Sequence, residues 1–205
     1  MIGIIDYGMG NILSVSKAFE MIGAEVTICN GPEDLAAVER IVLPGVGAFQ
    51  GCMDNLRRAG FVEALEEMVL AGGKPILGIC LGMQAMARRS FEHGEFPGLG
   101  WFDADVVRLD PADTALRVPQ VGWNDIDFSP GIPLFAGLRP GSDFYFVHSY
   151  YMKCRDQANV AATCDYGGEV TAAVIKNNIF ATQFHPEKSQ DYGLRLLRNF
   201  VAWKP

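Results

Sequence analysis

Along the first half of the chain, apolar positions follow two patterns, short continuous runs and helical stripes. Ile2 to Ile5, Glu25 to Cys29, Ile41 to Leu43 and Pro75 to Ile79 are mostly apolar, lie between turn residues and predict buried strands. Between them, Val15, Ala18, Phe19 and Ile22 share one helical face, and Pro32 to Val38 predicts a short helix with Pro at an allowed N-terminal position. Phe61 to Ala71 turns Leu65, Met68 and Val69 inward before Gly72-Gly73 ends it, and helical spacing resumes at Met83. Strands separated by helices pair in parallel, because each crossover returns the chain to the same end of the sheet.

Beyond Arg89 the rhythm changes. Gly94, Pro97, Gly98 and Gly100 break the helix, and Val106 to Leu109, Asp125 to Phe128, Phe144 to Tyr151, Val160 to Cys164, Val170 to Lys176 and Ile179 to Phe184 read as strands among turns. This half predicts antiparallel pairing at the sheet edge, closed by a helix over Tyr192 to Trp203 with Leu194, Leu197, Phe200 and Val201 inward. The fold class is therefore α/β: an open, mostly parallel sheet flanked by helices, with an antiparallel extension. The 205 residues suit one domain, 1–205, with a full-sized core.

Composition narrows the function classes. A hydrophobic share of 49% with 20% charged residues describes a globular chain, while a net charge of −7 argues against a nucleic-acid footprint. No apolar run approaches the ~20 residues of a membrane span, and Met1 leads directly into the first strand without a basic leader, so the expected location is the cytoplasm. Cys29, Cys52, Cys80, Cys154 and Cys164 are odd in number and scattered, which indicates neither a disulfide framework nor a metal site.

The candidate chemistry centres on Gly78-Ile79-Cys80-Leu81-Gly82, a strand followed at once by Gly-x-Cys-x-Gly and a helical pattern. A nucleophile on so sharp a turn needs small neighbours and a strained backbone, and unpaired N–H groups at a helix start favour a thiolate and an oxyanion. A buried structural cysteine is the plain alternative. Pro44-Gly45-Val46-Gly47 reads either as a simple turn or as main chain able to offer an oxyanion donor. Gly8-x-Gly10 lacks the third glycine of a dinucleotide fingerprint, whose place is taken by Leu13, and reads as an exposed loop. Of three histidines, His93 sits in a glycine-rich loop and faces solvent, and His148 ends a strand as a structural residue or a pocket wall. His185 follows an apolar strand, with Pro186 stiffening the turn and Glu187 available to hold its far ring nitrogen. If the strands before Cys80 and His185 are neighbours in a parallel sheet, both residues emerge at its carboxyl edge.

Pro44-Gly45-Val46-Gly47, Gly78 to Gln84 and His185-Pro186-Glu187, in that order and spacing, resemble the class I (triad) glutamine amidotransferases, which have a flavodoxin-like α/β fold. Asp6-Tyr7-Gly8-Met9-Gly10-Asn11, Gly122-Trp123-Asn124, Phe146 to Tyr150 and Lys188-Ser189 are similar to the glutaminase subunits of imidazole glycerol phosphate synthases, over the whole span from Met1 to the last helix. The resemblance implies a Cys80 nucleophile, a His185 base oriented by Glu187, and an oxyanion hole that combines the N–H of Leu81 with the Val46-Gly47 segment, where a peptide flip acts as a switch. It places L-glutamine against Gly47, Gln84, Ser149 and Tyr150, with His148 a neighbour, and requires no cofactor or metal. The implied partner is a (βα)8-barrel cyclase that uses the ammonia to make imidazole glycerol phosphate and AICAR in histidine biosynthesis. Asn11, Trp123, Tyr145 and Lys188 fall at positions near that interface. Gln120-Val121 departs from the His-Met that precedes Gly-Trp-Asn in some members, which bears on the detail of switching. Other readings are a glutaminase serving another biosynthetic amination, including the anthranilate and carbamoyl-phosphate types, or a binding subunit with a relic site.

Overall fold

A computed structural model describes residues 1–205. Its frame is a set of parallel strands, β1 (Ile2–Ile5), β2 (Val26–Cys29), β3 (Arg40–Gly45) and β4 (Ile76–Cys80). Successive residues point to opposite faces, so Ile5, Ile41, Leu43 and Ile76 join one apolar cluster while Ile4, Val42, Leu77 and Ile79 join the other. Helix α1 (Ile12–Met21) covers the second face through Val15, Ala18 and Phe19. Helix α2 (Phe49–Arg58) covers the first. The sequence reading did not identify α2, although its buried Phe49, Cys52, Met53 and Leu56 follow helical spacing; its polar outer face hides the signal.

Two expected helices differ in detail. Phe61–Leu65 is α-helical (α3), but Glu66–Ala71 widens into a π turn that still buries Val69 and leaves Met68 half-buried. The helix expected from Met83 onwards is a single turn, α4 (Leu81–Ala85), buried on every side. The chain then leaves as β5 (Ala87–Ser90), captured by parallel pairing with β7 (Phe102–Arg108), a tertiary contact that overrides local propensity.

With the short β6 (Phe96–Pro97) and β10 (Tyr150–Cys154), β5 and β7 form a separate four-stranded sheet; β8 (Gln120–Ile126) and β9 (Ser142–His148) form a two-stranded ribbon. The aromatic run Phe144 to Tyr151 is thus two strands, broken at Ser149. Strands β11 (Val160–Asp165), β12 (Glu169–Lys176) and β13 (Ile179–Thr182) complete a seven-stranded main sheet in the order β11-β12-β13-β4-β3-β1-β2. The antiparallel extension is carried by β11 and β12, while β13 pairs in parallel with β4, Thr182 opposite Ile79. No helix is long and apolar enough to cross a membrane.

Helix α5 (Gln190–Ala202) buries Leu196, Leu197 and Phe200, with Phe200 edge-on to Phe19 of α1; Leu194 and Val201 are only half-buried. It also buries Gly193, where a Cβ would stand 1.9 Å from the Pro186 carbonyl oxygen. Ala in a helix interior normally gains about 1 kcal/mol over Gly. Gly193→Ala should nevertheless lower the unfolding free energy by about 1–3 kcal/mol in urea titrations, because the obstacle is backbone rather than a movable side chain. A net gain in stability would show that the His185 turn can move away.

Candidate active site

Strand β4 ends on Cys80, whose φ of 54° and ψ of −108° lie outside the regions that L-residues favour. The turn is possible because its neighbours lack side chains. A Cβ on Gly82 would lie 1.9 Å from the Leu43 carbonyl oxygen, and one on Gly78 would meet Met86 and Ala181 within 3.0 Å. Leu81 begins α4, so its N–H is among those with no partner inside the helix. The helix has only five residues, so its dipole is small and the unpaired N–H groups at its start are what it offers.

Across the β3–β4 ladder, Gly45 pairs with Cys80 and leads into Val46 and Gly47, the latter in a left-handed conformation at φ 101°. Tyr7 carries no functional signature in the sequence. Its hydroxyl donates to the Pro44 carbonyl at 2.9 Å and so anchors the start of this segment, and burial holds that hydroxyl in its neutral form.

His185 follows β13, and its side chain is 2% exposed. Nδ1 lies 2.7 Å from Glu187 Oε1; the carboxylate can only accept, so Nδ1 carries the proton and Nε2 has no hydrogen-bond partner. Ser189, also without an assigned role in the sequence reading, fixes the turn. Its hydroxyl donates to the His185 carbonyl at 2.6 Å and accepts from the Tyr145 N–H at 3.0 Å.

These elements surround a cleft of about 420 Å³ lined by Val46, Gly47, Cys80, Leu81, Gln84, Ser149, Tyr150, His185 and Lys188, among others. Every residue expected at the nucleophile, oxyanion and ligand positions therefore borders one space, with Glu187 behind His185. Gln84 is more constrained than expected. Its amide nitrogen donates to the Tyr150 carbonyl at 2.8 Å and to Gln183 Oε1 at 3.0 Å, which leaves only its carbonyl oxygen for a ligand. Two further polar groups at the site were not anticipated. Glu92 lines the cleft and accepts from the Phe49 N–H at 2.7 Å; nothing in its local sequence marks it. Gln183, a fully buried amide between Thr182 and Phe184 in the expected strand Ile179 to Phe184, was a legible anomaly.

Of the four expected interface residues, three meet. Trp123, 49% exposed, stands edge-on to Tyr145 at 6.0 Å, and Lys188 Nζ lies 5.9 Å from the Tyr145 ring centroid. Asn11 precedes α1 without capping it through its side chain. His93 is exposed, as expected.

The family model described as glutamine amidotransferase class-I matches residues 3–203. The chain belongs to this family. It is 50% identical over 201 residues to the imidazole glycerol phosphate synthase subunit HisH 1 of Campylobacter jejuni (strain RM1221), covering 98% of this chain and 99% of that relative. It is 45% identical over 212 residues to the subunit HisH of Rhodospirillum rubrum, covering 100% and 99%. A crystal structure of a glutamine amidotransferase, 21% identical, shares the fold with a TM-score of 0.76 over 98% of this chain and 97% of that one.

This class-I glutamine amidotransferase tunes its two buried histidines in opposite directions. Burial lowers His148 to about 4, so it is neutral: Nδ1 lies 2.9 Å from the Tyr150 carbonyl oxygen and Nε2 2.9 Å from Gln120 Oε1, both acceptors, and the single ring proton serves one of them, which makes the ring a fixed part of the wall. Burial also opposes charge on His185, but the Cys80 sulfur as thiolate and the Glu187 carboxylate outweigh it and raise the imidazole to about 9. A folded-state value above the ordinary ~6.5 means that His185 contributes stability fully below that pH and loses it as the pH rises through about 9. Between these limits the unfolding free energy of the wild-type amidotransferase should therefore decline more steeply than that of His185→Gln in urea titrations. Parallel declines would show that His185 is not held charged.

Proposed function

We propose that this chain is the glutaminase subunit of an imidazole glycerol phosphate synthase in histidine biosynthesis, hydrolysing L-glutamine to glutamate and passing ammonia to a (βα)8-barrel cyclase. The observation that carries the reading is the convergence on one cleft of a thiol on a strained backbone turn, a His185–Glu187 pair with a free Nε2, and a glycine-rich strand. That convergence occurs in a chain 45–50% identical to HisH subunits over nearly its full length.

Cys80 attacks the side-chain carbonyl carbon of glutamine as a thiolate, its proton already held on Nε2 of the His185 imidazolium. The resulting oxyanion is stabilised by the Leu81 N–H and by a main-chain donor from Val46 to Gly47. His185 then protonates the departing nitrogen, ammonia leaves, and the same ring activates water to hydrolyse the thioester. Glu187 accepts from Nδ1 throughout, holding the ring in register and stabilising its cationic form. One missing oxyanion donor costs about 3 kcal/mol, a 100- to 1,000-fold effect, so the orientation of the Val46-Gly47 peptide is an efficient point of control. The Glu92 carboxylate and the Gln84 carbonyl oxygen supply the acceptors that an α-ammonium requires, while Gly47 and the Ser149-Tyr150 main chain border the rest of the ligand.

Ammonia released into water is mostly protonated and loses the lone pair that makes it a nucleophile, so a protein acceptor for it is needed. The exposed Trp123 with Tyr145 and Lys188 beside the cleft, and Asn11, form the docking surface for the cyclase. Five unpaired cysteines suit a reducing cytoplasm.

Glutamine turnover should be slow for the chain alone and strongly stimulated by a ligand-bound cyclase; equally fast turnover without a partner would sink the assignment. Cys80→Ala should abolish glutamine-dependent synthesis in the complex yet leave synthesis from ammonium salts intact. Loss of both would show that Cys80 is structural.

A further inference from the structure

Gln183 has the geometry of a functional group, yet the chemistry above does not use it. It follows β13 directly and is fully buried, with its backbone N–H donating to the Ala172 carbonyl at 2.8 Å. Its side chain reaches two residues of the cleft. Oε1 accepts from Gln84 Nε2 at 3.0 Å, and Nε2 lies 3.5 Å from Cys80 Sγ, within range for a donor to sulfur. A carboxamide in so enclosed a place is costly unless both ends are satisfied, and here both are.

The polarity of this chain of amides is set by a group that cannot reverse. The Tyr150 carbonyl is only an acceptor, so the Gln84 atom 2.8 Å from it is the nitrogen. The second hydrogen of that nitrogen points at Gln183, which must answer with its oxygen. The remaining end of Gln183 is then its NH2, and that end faces sulfur. Reversing either amide would set donor against donor, or acceptor against acceptor, in a buried space.

We propose that Gln183 is a dedicated hydrogen-bond donor to the Cys80 thiolate, its orientation imposed by the Tyr150 carbonyl through Gln84. A donor fixed toward sulfur favours thiolate over thiol and holds Sγ in place during attack. The same relay links the nucleophile to the Ser149-Tyr150 wall, so displacement of that wall would release Gln84, then Gln183, and weaken the thiolate.

The inference rests on Cys80 being the nucleophile, so its test uses no glutamine. The rate of Cys80 alkylation by iodoacetamide is followed against pH by mass spectrometry. Burial raises Cys29 and Cys154 to about 11 and Cys52 and Cys164 to about 12, and Cys80→Ser supplies the background from these four. Gln183→Met and Gln183→Leu remove the donor and keep apolar bulk. The expected result is an alkylation midpoint about one pH unit higher than wild type. A wild-type midpoint in either folded variant overturns the proposal. In the unsubstituted protein, the side-chain amide nitrogen resonance of Gln183 should shift with the alkylation midpoint and lose that shift in Cys80→Ser; a flat resonance also overturns it. If the chain with its cyclase fails to turn over glutamine, the functional reading falls, while the alkylation and resonance data still decide the role of Gln183.

Discussion

The parallel pairing of β4 with β13 is the interaction on which the site depends. With Thr182 opposite Ile79, the next residues on the two strands, Gln183 and Cys80, leave the sheet side by side, and His185 follows within one turn. The pairing of β3 with β4 does the same on the other flank, where Gly45 is level with Cys80. Three strands thus deliver Cys80, His185 and the Gly45-Val46-Gly47 segment to a single edge through main-chain hydrogen bonds. No side chain has to search for that geometry, because register determines it.

Close backbone approach then removes the remaining freedom. Gly82 against Leu43 and Gly193 against Pro186 are contacts that even a methyl group would break, and each clamps one half of the site to its neighbour. The first sets the elbow on the strand that leads into Val46 and Gly47. The second seats the last helix on the turn that holds His185 and Glu187. Tyr7 and Ser189 do comparable work with hydrogen bonds, anchoring the Pro44 carbonyl and the His185 carbonyl. A strained residue such as Cys80 persists only because its surroundings determine its conformation several times over.

Much of this was legible in the chain itself. The parallel strands, the elbow and the His185-Pro186-Glu187 turn have local signatures: apolar runs, obligatory glycines, and a proline between a histidine and a carboxylate. Other features depend on distant partners. The single-turn α4 yields to β5 because β7 waits to pair with it, and the strand break at Ser149 depends on which sheet each half joins. Glu92 reaches the cleft from a loop that looks merely polar, and its position depends on the α2 backbone N–H that it meets 43 residues away in sequence. Gln183 is the instructive miss: a polar residue in an otherwise buried run is expensive, and that expense was visible without coordinates.

The central position of β4 also has a consequence in time. Gln183 lies 103 residues beyond Cys80, so at about 5–20 residues per second the ribosome completes the elbow some ~5–20 s before it supplies β13. During that interval β4, the apolar segment Ile76–Cys80, is paired on one side at most and presents the other as an open strand edge, the kind of surface that recruits foreign strands. Cys80 at its end then stands on the nascent chain without His185 or Gln183 to cover it. The arrangement that makes the finished protein's central strand the best protected is the one that leaves it longest unprotected during synthesis.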